Sequence, residues 1–178
     1  MRFRLLATAI CVLALSGCAG SPRVGDADLP NFRQVTPTLY RGAQPTAAGL
    51  ARARDMGIKT VVNVRESDDD RVAATDLGLN CEQRSMSAWS PSDDDVAWFL
   101  SIATDPQRQP VFLHCQHGAD RSGYLIAMYR VVIQGWDRQR AIDEMTADGM
   151  GFHDIYQVLV DYVRNADVER IRGLIAAE

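Results

Sequence analysis

One ten-residue stretch gathers most of the reactive chemistry of this chain: His114-Cys115-Gln116-His117-Gly118-Ala119-Asp120-Arg121-Ser122-Gly123. It falls between an apolar run, Pro110 to His114, and a segment of helical spacing that starts at Ser122. The first amides of a helix have no partner within it, and a loop that curls in front of them can turn further N–H groups towards a tetrahedral anion. Phosphate is the natural guest. A cysteine at the start of such a loop feels those amides, the helix dipole and the guanidinium of Arg121, all of which favour its thiolate form. Cys115 is therefore the expected nucleophile. Arg121, six residues on, can return to grip two phosphate oxygens and follow them as charge moves in the transition state. Gln116, His117, Gly118, Ala119, Ser122 and Gly123 complete the expected anion-binding loop. Gly118 relaxes its backbone, Gly123 lets the helix start pack closely, and Gln116 and His117 line its mouth.

The pattern His-Cys-x-x-Gly-x-x-Arg-Ser-Gly, with Cys115 and Arg121 in register, resembles the signature of the cysteine-dependent protein tyrosine phosphatase superfamily. The resemblance runs from about Leu39 to Tyr162. Leu39-Tyr40-Arg41-Gly42-Ala43-Gln44-Pro45 and Thr60-Val61-Val62-Asn63-Val64-Arg65 are similar to the opening of compact dual-specificity phosphatases, including the atypical plant and fungal ones. It implies hydrolysis of phosphomonoesters, by family default on phosphotyrosine or phosphoserine/threonine of proteins, through a phosphocysteine intermediate. It further implies that Ser122 assists release of the phosphocysteine and that His114 helps set the surroundings of Cys115.

One family feature is absent. The stretch Arg84 to Ser92, where most members carry the aspartate that protonates the leaving oxygen, holds no aspartate. Asp93, Asp94 and Asp95 follow at a helix start, where acidic residues already complement the dipole. Asp120 directly precedes Arg121, as in myotubularin-type lipid phosphatases and certain secreted bacterial phosphatases. We therefore expect Asp120 as the general acid, with Asp93 in reserve. This arrangement admits a phosphoinositide or inositol phosphate substrate as an alternative, or a catalytically weak phosphate-binding lipoprotein. A rhodanese-like sulfurtransferase also places a cysteine loop before a helix, but the Arg121-Ser122-Gly123 ending speaks against it.

The elements that must hold this loop alternate along the chain. Strands are expected at Thr38–Arg41, Ile58–Val64, Leu79–Ser85 and Pro110–His114, from β-branched and apolar runs. Helices are expected at 46–56, 71–77, 93–104, 122–134 and 138–147. Gly57, Gly78 and Gly135 close the first, second and fourth, and Ser92 and Asp137 cap the third and fifth. A helical tail follows over 154–177, with Ile155, Leu159 and Tyr162 on one side. The fold class is α/β, a short, mainly parallel central sheet flanked by helices, dual-specificity-phosphatase-like. Arg41 and Arg65, at strand ends, would either add positive potential beside the phosphate or stand exposed or structurally paired, Asp68-Asp69-Asp70 would form a solvated loop, and Trp89 and Trp98 would anchor the core or, for Trp89, touch substrate.

Composition bounds the remainder. The chain has 178 residues, 19 basic against 23 acidic, for a net charge of −4, and 47% apolar residues. That suits one globular domain and excludes collagenous, disordered and disulfide-framework classes. A mild negative charge also excludes a general nucleic-acid binder. Arg2 and Arg4 followed by the apolar run Leu5–Leu15 read as a secretory signal, too short to span a bilayer. Leu15-Ser16-Gly17-Cys18 resembles a bacterial lipobox, which makes 1–17 a signal peptide, 18–30 a lipidated tether and 31–178 the phosphatase domain. Lipid on Cys18 would anchor the protein in the cell envelope, at the outer membrane or its periplasmic face. Of the four cysteines, only Cys81 and Cys115 would then remain as thiols. The chemistry needs no cofactor, and His153 and Cys81 have no neighbour at a ligand spacing, so no metal site is expected. Oligomeric state is not encoded in any motif.

Overall fold

The computed structural model describes residues 26–177. The signal sequence and lipobox lie outside the described residues. Four parallel strands and one antiparallel edge strand make the sheet: β1 (Arg33–Thr36), β2 (Leu39–Gly42), β3 (Thr60–Asn63), β4 (Asn80–Gln83) and β5 (Val111–His114). Their order is β1-β2-β5-β3-β4. β5, the strand that ends at Cys115, thus lies in the middle, paired in parallel with β2 on one side and β3 on the other. Central parallel strands need cover on both faces, and β3 and β5 are buried at every residue.

Alternation along these strands splits the interior. Val62, Val111 and Leu113 face one core, formed with α3 (Asp93–Thr104), α4 (Asp120–Val132), α5 (Arg138–Thr146), α6 (Gln157–Asn165) and α7 (Val168–Ile175). Val61 and Phe112 face the other, closed by Leu50 and Ala53 of α1 (Ala47–Asp55) and Ala74 of α2 (Arg71–Asp76). Each fully buried side chain of this size contributes about 1.5–3 kcal/mol. Helix α4 runs between the sheet and its neighbours and is buried along most of its length, which holds its first turn, the end of the reactive loop, in place.

Most expected elements occur where the pattern put them, with ends shifted by one or two residues. Ser92 Oγ accepts the Asp95 amide and caps α3, while Asp95's own carboxylate pairs with Arg84 instead of completing a capping box. Three differences stand out. Strand β1 was not expected; its short polar sequence carries a register shift between Gln34 and Thr36 that obscures the alternation. The tail is a turn of 3-10 helix (Asp154–Tyr156) and two helices broken at Ala166-Asp167, where Asp167 caps α7, and Ile155 is 66% exposed rather than facing inward. Residues Asp26 to Pro30 belong to the packed body rather than to a tether: Leu29 is fully buried, Asp26 pairs with Arg52, and a Cβ on Gly49 would lie 1.9 Å from Asp28 O.

Candidate active site

The loop leaves β5 at Cys115, which is 2% exposed, and returns into α4 at Asp120. Its tightest turn is at Gly118, whose φ of +69° is a left-handed value that side chains resist. A Cβ there would come within 2.4 Å of the Gly42 and Ala43 backbone, so glycine is required for space as well as conformation. Cys115 Sγ lies 3.5 Å from Ser122 Oγ. Arg121 bends back towards the loop, with Nη1 donating at 3.4 Å to Val64 O and at 3.3 Å to Met86 O. Gly123 leaves the space that Met145 and the Arg41 guanidinium fill.

Two residues brace the loop from behind. Arg41 is buried and donates from Nη2 to Gly118 O at 2.6 Å and to Ala119 O at 3.2 Å. Burial pulls its guanidinium down to about 10, still charged at neutral pH. Asn31, in left-handed backbone, donates from Nδ2 to the carbonyls of His117, Gly118 and Met150. With their carbonyls turned outward and held, the loop amides can point towards a bound anion.

Above the loop opens a cleft of about 250 Å³. Cys115, Gln116, His117, Asp120 and Arg121 form its floor, and Glu66, Met86, Ser87, Ala88, Trp89 and Tyr156 its walls. Trp89 and Tyr156 meet edge to face at 4.8 Å.

Residues 24–160 match the family model described as "DSP-PTPase phosphatase fused to NAD+ Kinase". The chain belongs to this phosphatase family. The dual specificity protein phosphatase TpbA of Pseudomonas aeruginosa is 38% identical over 147 residues, 82% of this chain and 67% of that protein. A crystal structure of TpbA in complex with phosphotyrosine superposes with a TM-score of 0.74 at 36% identity, covering 83% of this chain and 91% of that one. The catalytic domain of the PP-IP phosphatase Siw14 from S. cerevisiae shares the fold, with a TM-score of 0.69 at 20% identity over 84% and 93% of the two chains. The protein is thus a cysteine-dependent phosphatase of the dual-specificity type.

The phosphatase places its carboxylates tellingly. Met86 to Trp89 do form a cleft wall, yet the wall carries no acid of its own. Asp93 is away from the cleft: it accepts Tyr162 OH at 2.7 Å and pairs with Arg170 at 3.1 Å, tying α3 to α6 and α7. Asp120 lies in the cleft floor, 6% exposed. Its Oδ1 accepts the His153 amide at 2.9 Å, and its Oδ2 lies 2.9 Å from His153 Nδ1. Glu66 is the other carboxylate lining the cleft.

The structure decides between the alternatives left for two arginines and corrects one expectation. Arg41 is structurally paired, supporting the loop through its carbonyls. Arg65 is engaged by Asp69 at 2.7 Å and Gln116 Oε1 at 3.1 Å, a hydrogen bond that draws the Asp69 carboxyl down to about 2. Asp70 is not solvated: it is buried beneath the loop with Oδ2 2.8 Å from His114 Nε2, a charge contact out of line for a directed hydrogen bond, and Oδ1 accepts from Asn63. Burial, the largest single influence, would raise the Asp70 carboxyl, but the His114 imidazole, a backbone amide and the charge of Arg65 together outweigh it and the net shift is downward. His153, set aside at the sequence level, joins His117 and Asp120, with donor atoms all within 4.8 Å of one another. Cys81 and Cys115 are free thiols; burial lifts Cys81 to about 11, which leaves it an inert packing residue.

Proposed function

We propose that this phosphatase hydrolyses phosphomonoesters of proteins, phosphotyrosine foremost, with Cys115 as nucleophile, Arg121 as phosphate clamp and Asp120 as general acid. The observation that carries the reading is the convergence of Cys115, Arg121 and Asp120 on the floor of one cleft. Cys115 Sγ attacks phosphorus and the ester P–O bond breaks. The leaving oxygen takes the proton of the Asp120 carboxyl. Asp120 then accepts a proton from the water that attacks the phosphocysteine, releasing phosphate and restoring the thiolate. The loop amides and Arg121 hold the equatorial oxygens throughout, and Ser122 Oγ, beside Sγ, favours the departing thiolate by hydrogen bonding. The aromatic wall of Trp89 and Tyr156 suits a phenyl ring, and the relative TpbA has been crystallised with phosphotyrosine.

A second substrate class is favoured by one feature. A further cleft of about 260 Å³, lined by Arg65, Glu66, Ser67, Gln116 and Arg121, adjoins the first through Glu66, Gln116 and Arg121; its two arginines would meet a second phosphate, as in an inositol phosphate, against the opposing charge of Glu66 and with Arg65 shared with Asp69. We further infer that lipid on Cys18 tethers the enzyme in the cell envelope; the run Leu15-Ser16-Gly17-Cys18 after an apolar segment supports this.

The test is hydrolysis of p-nitrophenyl phosphate by the full chain under reducing conditions, beside Cys115→Ser. Activity that vanishes with the thiol, while phosphate binding persists, is the expected result; equal rates in both would overturn the mechanism. Cys18→Ala should move the protein from the membrane to the soluble fraction, and an unchanged distribution would sink the anchor.

A further inference from the structure

His117, Asp120 and His153 come from three separate segments: the anion-binding loop, the first turn of α4 and the stretch before the 3-10 turn. Their donor atoms nevertheless lie within 4.8 Å of one another. The two imidazoles pack edge to face with centroids 5.4 Å apart. Asp120 is fixed by the His153 amide and already pairs with the His153 ring at 2.9 Å, and both histidines are exposed. The backbone around the cluster is also held: Asn31 ties the carbonyls of His117, Gly118 and Met150 together, and Gly151 passes so close that its Cβ would lie 3.7 Å from that of Ala119.

We propose that His117, Asp120 and His153 bind a divalent ion of the zinc class, and that its occupancy switches the phosphatase off. Two imidazole nitrogens and one carboxylate oxygen form a donor set typical of Zn²⁺, which leaves its fourth position to water. Bond lengths of about 2.0–2.2 Å require the donors to close in from their present separation, with the ion taking the place of the direct His153–Asp120 contact. The site is reached from solvent through the cleft mouth. Binding itself needs no catalytic assumption. Inhibition rests on the acid role given to Asp120 above, because a carboxylate oxygen bonded to a metal ion cannot carry the proton for the leaving group.

Zn²⁺ alone is titrated by calorimetry into the full chain carrying Cys115→Ser, so that the thiol is not a ligand. One equivalent should bind, and His153→Gln and His117→Gln, each combined with Cys115→Ser, should weaken it about tenfold or more. With Cys115 intact, phenyl phosphate hydrolysis is followed against Zn²⁺ concentration, each variant relative to its own metal-free rate. The half-inhibiting concentration should rise about tenfold in both histidine variants. Absence of binding to Cys115→Ser, or binding and inhibition unchanged by both substitutions, would overturn the proposal and put the metal on the thiol. A chain without turnover whose Cys115→Ser form binds one Zn²⁺ through these histidines would uphold the site and sink the catalytic reading instead.

Discussion

Two carboxylate–imidazole pairs flank the anion-binding loop, and they are made of the same groups at nearly the same distance. Asp70 and His114 meet at 2.8 Å beneath the loop, 5% and 0% exposed at their side chains; Asp120 and His153 meet at 2.9 Å at its mouth, at 8% and 49%. The difference is access. In the lower pair neither partner reaches water, so each compensates the other's desolvation, and removing one strands the other. In the upper pair one partner is wet, so protons, ions and substrate can reach it. The lower pair is closed to solvent at the end of the strand that leads into Cys115, and the upper pair is open to it.

The contrast can be broken from either side. The largest effect should come from Asp120→Asn, which is expected to slow hydrolysis of phenyl phosphate by about a hundredfold or more and of p-nitrophenyl phosphate far less, since a good leaving group needs little protonation. Equal losses on the two substrates would remove the acid role. Urea unfolding should meanwhile change by under about 1 kcal/mol, because a polar side chain still fills the site. Next, Asp70→Ala should cost about 3 kcal/mol of stability by leaving His114 buried without its partner; a midpoint within error of the parent would mean that the pair contributes no net energy.

A subtler distinction is in pH. The Asp70 carboxyl is lowered in the folded state, so its stabilisation is complete above the ordinary carboxylate range near pH ~4 and is lost as pH falls through the lower folded value. The gap in unfolding free energy between the parent and Asp70→Ala should therefore narrow in acid; a gap that widened would reverse the sign assigned to the pair. The smallest effect is expected from Glu66→Gln, within about twofold on either aryl phosphate, because Glu66 is an exposed wall residue without a partner fixing it at the loop. A large loss confined to phenyl phosphate would transfer the acid role from Asp120 to Glu66.

The sequence showed these regions unequally. Strands β3 and β5 were legible because both faces are buried, which makes their residues apolar or β-branched up to the last one, Asn63 and His114, and α3 was legible because Ser92 marks its cap. Cys115, Arg121 and Asp120 were legible as a motif because their spacing is local to one loop. The partners were not. His153 is 33 residues from Asp120, and Asp70, at the start of α2, comes to His114 beside Asn63, which pairs with His114 across β3 and β5 and donates to Asp70; nothing along the chain announces such contacts. Asp70 was hidden further by its neighbours Asp68 and Asp69, whose exposure makes the triplet look uniformly solvated. Arg41 was legible only as one of two alternatives, because arginine is rarely buried, and the carbonyls turned towards it from Gly118 and Ala119 decide for the paired one.

The docking of Asp26 to Asn31 gives the molecule a mechanical load path. Asp26 is clamped to α1 through Arg52, the chain at Asp28 wedges against Gly49, and a few residues later the Asn31 amide grips the carbonyls of the anion-binding loop. Strain entering the chain at Asp26 is therefore shared between α1 and the loop, because the same six residues that dock on the helix also end on the carbonyls of the loop.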